Sequence, residues 1–195
     1  MYIRFLKVQP VNKWSQKLTT MRRYDLTAEM YERRYGEEQA AKYKAALEHL
    51  NVAHKSRVLD VGCGTGLLFS HVAAEAQTVV GVDISRVLLQ QAKEHAQDFR
   101  NVHLVQADAD HLPFRDALFS TIFAFTVLQN MPKPLKTLSE IKRNAEQSGS
   151  VVVTGLKKAF SLEAFEDLLQ NAGLQVVHLE DTEAVKCYVA VTVPK

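Results

Sequence analysis

The chain lacks most of the features that would mark a secreted, membrane-spanning or metal-built protein. Among its 195 residues there are two cysteines, Cys63 and Cys187, far apart and outside any CxxC spacing. That usage suggests neither a disulfide framework nor a zinc site. No apolar run approaches the roughly 18 residues needed to cross a bilayer, and the N-terminus has no apolar segment of the kind that opens a secretory signal. A soluble, cytoplasmic protein without membrane insertion is therefore expected. The histidines show no His-Glu-x-x-His or comparable spacing, so no metal is expected. Repeats, low-complexity tracts and linkers rich in Pro, Gly or Ser are also missing, and this length suits one well-buried core.

The net charge is only +2, but the charges are unevenly placed. Residues 1 to 24 contain Arg4, Lys7, Lys13, Lys17, Arg22 and Arg23 and no acid, which is +6 against a total of +2, so the remainder carries −4. Such an arm suits phosphates, an anionic surface or an acidic partner, and it also suits a solvated terminus.

What is present begins with "VLDVGCGTG" at residues 58 to 66, three glycines in five residues after an apolar run and an acid. Glycine is costly to order, so the loop must turn sharply or admit a ligand close to its backbone. A dinucleotide fingerprint would need its third glycine at residue 67, which is Leu67, and no Gly-Lys-Ser/Thr occurs anywhere. Neither of those phosphate grips is present.

Around the loop, short apolar runs alternate with helical periodicity. "RVLDVG", "TVVGVD", "VHLVQAD", "FSTIFAF" and "SVVVTGL" read as strands. Helices are expected over "LLFSHVAAEA", after Ser85, from Pro134, and from Ser161 to Gly173. "LQVVHLED" and "VKCYVAVTV" are too close for a crossover helix and should pair antiparallel. The expected fold is α/β: a doubly wound, seven-stranded, mostly parallel sheet ending in an antiparallel hairpin. "TAEMYERRY" and "EEQAAKYKAALEHL" read as two further helices. Residues 1–50 are thus a basic arm with helices, and 51–195 the core.

In such a sheet the ligand sits beyond the C-terminal strand ends. Asp83 ends the second strand about twenty residues after the first glycine, where an acid bonds ribose hydroxyls. Asp108 and Ala109 end the third, where a carboxylate accepts from an adenine amino group and an amide donates to a ring nitrogen. Together these residues point to a nucleoside.

In order and spacing, "VLDVGCGTG", "VVGVDIS", "ADADHLPFRDALFSTIFAFTVLQNMPKP" and "LSEIKRNA" resemble the class I S-adenosylmethionine-dependent methyltransferases, in the branch of the ubiquinone and menaquinone biosynthesis enzymes. The resemblance covers roughly residues 55 to 195. It implies that Asp60 and the loop of Gly62, Cys63, Gly64 and Gly66 face the amino acid portion of the cofactor S-adenosyl-L-methionine. It places Asp83 with Ile84 at the ribose, Asp108 with Ala109 at the adenine, and Phe125 and Thr126 near the sulfonium. "RYDLTAEMYERRY" resembles the lead-in of this branch, whose tyrosines close over the cofactor, so Tyr24, Tyr31 and Tyr35 are candidates for that role and are also readable as helix-packing residues. Two departures stand out: "EQSGS" replaces the usual Pro-Gly-Gly turn, and "FTVL" stands where amino-group methyltransferases carry Asn/Asp-Pro-Pro-Tyr/Phe.

Methyl transfer from a sulfonium needs alignment above all, and a base only when the acceptor must lose a proton early. His111 is the candidate base and Asn130 the candidate that orients a substrate amine; each is also readable as a loop residue. Cys63 reads as a small residue between glycines. The acceptor is expected to be a small molecule drawn into a surface formed by residues 1 to 50 and the loop after Phe125. An RNA base engaged by the basic arm is the alternative, and a non-catalytic cofactor- or partner-binding module the other. An activating partner subunit is left open.

Overall fold

The computed structural model describes residues 12–50, 52–183 and 185–195, with the side chains of Glu29, Tyr31 and Glu32 outside the described part. Five parallel strands form the bulk of the sheet: β1 (Arg57–Val61), β2 (Thr78–Asp83), β3 (Val102–Gln106), β4 (Phe119–Ala124) and β5 (Ala145–Leu156). β6 (Leu174–Glu180) and β7 (Cys187–Pro194) pair antiparallel, and β7 also pairs antiparallel with β5. The order is β3-β2-β1-β4-β5-β7-β6. It reverses between β1 and β4, the switch point at which an α/β sheet opens a crevice.

The apolar runs form strands because both faces are covered. Val58, Leu59, Val61, Ile122, Phe123, Val151 and Val153 are fully buried. One face packs against α5 (Pro134–Asn144) and α6 (Leu162–Asn171), the other against α2 (Ala28–Leu47), α3 (Phe69–Val72) and α4 (Arg86–Ala96). Caps fall where the sequence puts them. Ser85 accepts from the Leu88 N–H at 3.0 Å, and Ser161 from that of Ala164 at 3.2 Å. Pro134 opens α5, and Gly173 closes α6 at φ +73°.

Two local expectations change. The helix expected over 67–76 is regular only at α3, and turns carry the chain onward with Ala73 and Ala76 bonded back to Phe69 and Val72. Phe69 is fully buried under Gly66 and Gly81, so packing of that one ring, and not a long amphipathic face, holds the segment. "EQSGS" is drawn into β5 instead of forming a separate turn, with a register shift between Phe119 and Thr121.

The largest change is at the N-terminal end. Residues read as an arm form helix α1 (Lys13–Asp25), capped by the Asn12 side chain, which accepts from the Trp14 N–H at 3.2 Å. The two helices expected after it are the single helix α2, which runs through Gly36. One interior glycine costs about 1 kcal/mol, too little to break a helix held by packing. Arg4 and Lys7 lie outside the described residues.

Candidate functional site

The glycine loop leaves β1 and folds back on β2, with the N–H groups of Gly62 and Cys63 both donating to the Val82 carbonyl. Gly62, Gly64 and Gly66 all have positive φ, at +71°, +56° and +86°. They differ in what surrounds them. A Cβ on Gly66 would meet Phe69 at 2.4 Å, and one on Gly62 would meet Val127 at 2.7 Å, whereas one on Gly64 would meet nothing within 4 Å. Gly62 and Gly64 line a cavity at the strand ends, and Gly66 lies outside its lining. Cys63 is buried beneath, and burial, with the charges of Asp60 and Asp83, pushes its thiol well above the ordinary range. A nucleophilic thiolate is thereby disfavoured.

Two carboxylates sit under this loop. Asp60 is 3% exposed, and burial together with the charge of Asp83 pushes its carboxyl up to about 8. Asp83 accepts from the Gly64 N–H at 3.0 Å and the Ser85 N–H at 2.8 Å while lining the cavity. Each oxygen keeps lone-pair capacity, since an ionised carboxylate offers about four acceptor positions. Burial raises the Asp83 carboxyl, and those backbone donors oppose the rise. A buried acidic pair of this kind suits a ligand that brings donors and positive charge. Ile84, Asp108 and Ala109 complete that wall.

Asp108 is tied from above. Lys17 of α1 places its ammonium 2.6 and 2.8 Å from the two Asp108 oxygens and 2.6 Å from Asp110. Asp110 in turn accepts from Thr137 at 2.5 Å. Burial alone would raise the Asp108 carboxyl, but the Asp110 N–H and the Lys17 ammonium override it and hold the group below its ordinary value. His111 lies behind Asp108, with its Nδ1 3.7 Å from an Asp108 oxygen. Its ring is 71% exposed, its Nε2 lies 2.6 Å from the Lys136 ammonium, and it lines neither cavity described here.

At the end of β4, Phe125 and Thr126 line the cavity, and Thr126 adopts φ +63°. A β-branched residue rarely takes that conformation, and it persists only where neighbours over-determine it. Here the Thr126 N–H donates to Thr154, its carbonyl accepts from Gln129 and Asn130, and its hydroxyl oxygen accepts from Gln39 and Lys42. The Asn130 amide donates to the Tyr24 hydroxyl at 3.1 Å and to the Thr126 carbonyl at 2.8 Å, and its oxygen accepts from Arg23 at 3.2 Å. Tyr24 thus reaches the site. The Tyr31 side chain lies outside the described residues.

Thr126, Tyr24 and Asn130 also line a second cavity, of about 520 Å³, on the far side of this junction. Sequence reasoning missed most of its wall, Lys42, Lys158 and Lys186 included, because these residues come from α2, from the segment after β5 and from the start of β7. It also missed Lys17, Thr20 and Met21 of α1 in the first cavity. Asn12, a cap residue before "KWSQKL", was the available signal for that helix. Among the described residues no group of His, Cys, Asp and Glu is arranged to hold a metal, and no helix is long and apolar enough to cross a membrane.

Residues 53–187 match the family model described as a methyltransferase domain. The demethylmenaquinone methyltransferase of Staphylococcus saprophyticus is 35% identical over 112 residues, which cover 56% of this chain and 48% of that protein. The chain spans about half the length of the curated relatives it matches. Among solved structures, magnesium protoporphyrin IX methyltransferase from Synechocystis PCC 6803, with bound S-adenosylmethionine, superposes with a TM-score of 0.76 at 18% identity, covering 98% of this chain and all of that one. A methyltransferase from Aquifex aeolicus gives 0.69 at 19% identity, covering 78% of this chain and 89% of its own. At these identities the structural likeness concerns the fold.

Proposed function

This chain belongs to the class I S-adenosylmethionine-dependent methyltransferases, and from that premise we propose that it moves a methyl group from the cofactor's sulfonium to a small-molecule acceptor by direct displacement. One observation carries the reading: a cavity lined by Asp83 and Asp108 beside Gly62 and Gly64 shares Tyr24, Thr126 and Asn130 with a second cavity.

The residues fit the cofactor part by part. Gly64 has open space where a side chain would stand, so the ligand lies against its backbone. Asp83 would accept from the ribose hydroxyls with Ile84 beside them, Asp108 with the Ala109 amide would read the adenine edge, and Asp60, beneath the loop and outside the cavity lining, would provide the acid nearest the amino acid portion. Bound there, S-adenosyl-L-methionine supplies a methyl group on positive sulfur and a neutral thioether as leaving group.

The remaining work is positional. Thr126, Tyr24 and Asn130 line both cavities, Phe125 lines the first, and the Asn130 bond to Tyr24 fixes α1 at their junction. Residues that hold an acceptor atom in line with the methyl group would contribute several kcal/mol relative to free encounter. The transfer would need no covalent enzyme intermediate, and the acceptor's proton would leave to solvent. Residues 1–50 act as the cap on the acceptor side of the 51–195 core.

Of the basic residues behind the RNA alternative, Lys17 is spent on Asp108 and Asp110. The small-molecule reading is favoured accordingly. Incubation with methyl-labelled cofactor and fractionated cell extract tests it. Label in the small-molecule fraction is expected, and label confined to RNA or protein would overturn the acceptor assignment.

A further inference from the structure

The second cavity has a charge pattern that the cofactor does not explain. Its described lining contains four cations, Arg23, Lys42, Lys158 and Lys186, and one acid, Glu38. Glu38 lies 3.0 Å from both Lys42 and Lys186, so a single carboxylate serves two ammonium groups. Burial would raise the Glu38 carboxyl, but those two ammonium groups hold it below its ordinary value.

The other two cations, Arg23 and Lys158, are exposed and have no acid among the described residues. Arg23 bonds a neutral amide oxygen, that of Asn130, and lies over the Tyr24 ring at 5.2 Å. Lys158 makes no ion pair among the described residues. Lys42 is the deep member at 2% exposed, and its ammonium lies 3.2 Å from the hydroxyl of Thr126, on the wall that faces the cofactor cavity. The Gln129 side-chain oxygen, also in the lining, is buried with no hydrogen-bond partner among the described residues.

We infer that this cavity is the acceptor site and that it selects a small organic anion, a molecule carrying a carboxylate or phosphate group beside the atom to be methylated. The inference rests on the proposed methyl transfer. Uncompensated cations converging on a cavity favour an anionic ligand, and Arg23 presents the planar fork that carboxylate and phosphate oxygens match. A volume of about 520 Å³ suits a compact molecule of drug-like size or smaller. The anionic group lies toward Arg23 and Lys158, and the nucleophilic atom toward Thr126.

The test uses the full chain saturated with S-adenosylhomocysteine and matched probes: 4-hydroxybenzoate, phenyl phosphate and the neutral 4-hydroxybenzamide, followed by calorimetry. At least one anion is expected to bind about tenfold or more tightly than the amide, the scale of one charge-assisted hydrogen bond. Which anion it is separates a carboxylate from a phosphate acceptor. Lys158→Gln is expected to abolish most of that preference while leaving affinity for S-adenosylmethionine unchanged, because Lys158 lines only the second cavity. Equal binding of amide and anions, no binding of either anion, or a preference that survives Lys158→Gln would overturn the inference. Loss of S-adenosylmethionine binding by the unaltered chain would instead defeat the underlying methyltransferase reading, and is read out separately.

Discussion

Gly64 and Gly66 share a left-handed backbone but differ in their surroundings, and alanine should separate the two roles. Gly66→Ala drives a methyl group into the buried Phe69 ring, so it should lower stability by about 2 kcal/mol or more, read as a fall in Tm. Gly64→Ala meets no protein atom and costs only the backbone strain, about 1 kcal/mol, yet places a methyl group where the cofactor lies. Its expected signature is lost cofactor binding with a modest change in Tm. Equal effects of the two on stability and binding would contradict the assignment.

Asp60 makes a pH prediction. Its carboxyl is raised from 3.8 to about 8, so between those values the folded chain holds a proton that the unfolded chain has released. The associated stability is therefore present below about pH 4 and is lost as pH rises through about 8. Asp60→Asn cannot lose that proton, so its Tm relative to the unaltered chain should climb between about pH 5 and about pH 9. Binding the cofactor's ammonium requires the ionised form, so affinity should rise toward pH 8 and binding at pH 7 should release protons. Calorimetry in buffers of differing ionisation enthalpy reads that release directly.

At the scale of elements, α1 is held to the core mainly through polar contacts. Lys17 joins it to Asp108 and Asp110, Arg23 and Tyr24 join it to Asn130, and Asp25 accepts from Ser85. Lys17→Met removes the cation from two largely buried carboxylates, a change that costs about 3 kcal/mol when a buried pair loses one partner. Hydrogen exchange should show α1 deprotected while β1 to β5 keep their protection. A uniform loss across the sheet would show that Lys17 supports the core itself.

How legible each element was followed from how its stability arises. β1 to β5 and the terminal hairpin were readable because a strand buried on both faces must be a short apolar run, and such runs are visible residue by residue. α1 was not, because a helix that docks by Lys17, Arg23 and Asp25 shows a polar sequence indistinguishable from a solvated arm. The loop after β1 and the acids at strand ends were readable because those positions are fixed by topology. The second cavity was not, since Lys42, Lys158 and Lys186 come together only when α2 packs against β7 and the segment after β5. Thr126 carries no local signal of its positive φ at all; five partners impose it.

For the whole molecule, family membership rests on residues 53–187, while both cavities depend also on residues from α1 and α2 that lie before that match. Lys158 and Lys186 of the second cavity lie within the match and Arg23 and Lys42 before it, so the proposed acceptor site would draw on both parts of the chain. Salt separates the acceptor classes at this scale. Binding to RNA through the basic terminus would weaken steeply between low and physiological salt, whereas a small anion engaging one or two cations should weaken only modestly.

The most direct test of the central claim is calorimetric titration of the chain with S-adenosyl-L-methionine, run in parallel on Asp83→Ala. The account predicts saturable binding at one site per chain, weakened about tenfold or more in the variant, where hydrogen bonds to a carboxylate are lost. No heat of binding at about 1 mM cofactor, a concentration that would detect even a site of only about −4 kcal/mol, would contradict it.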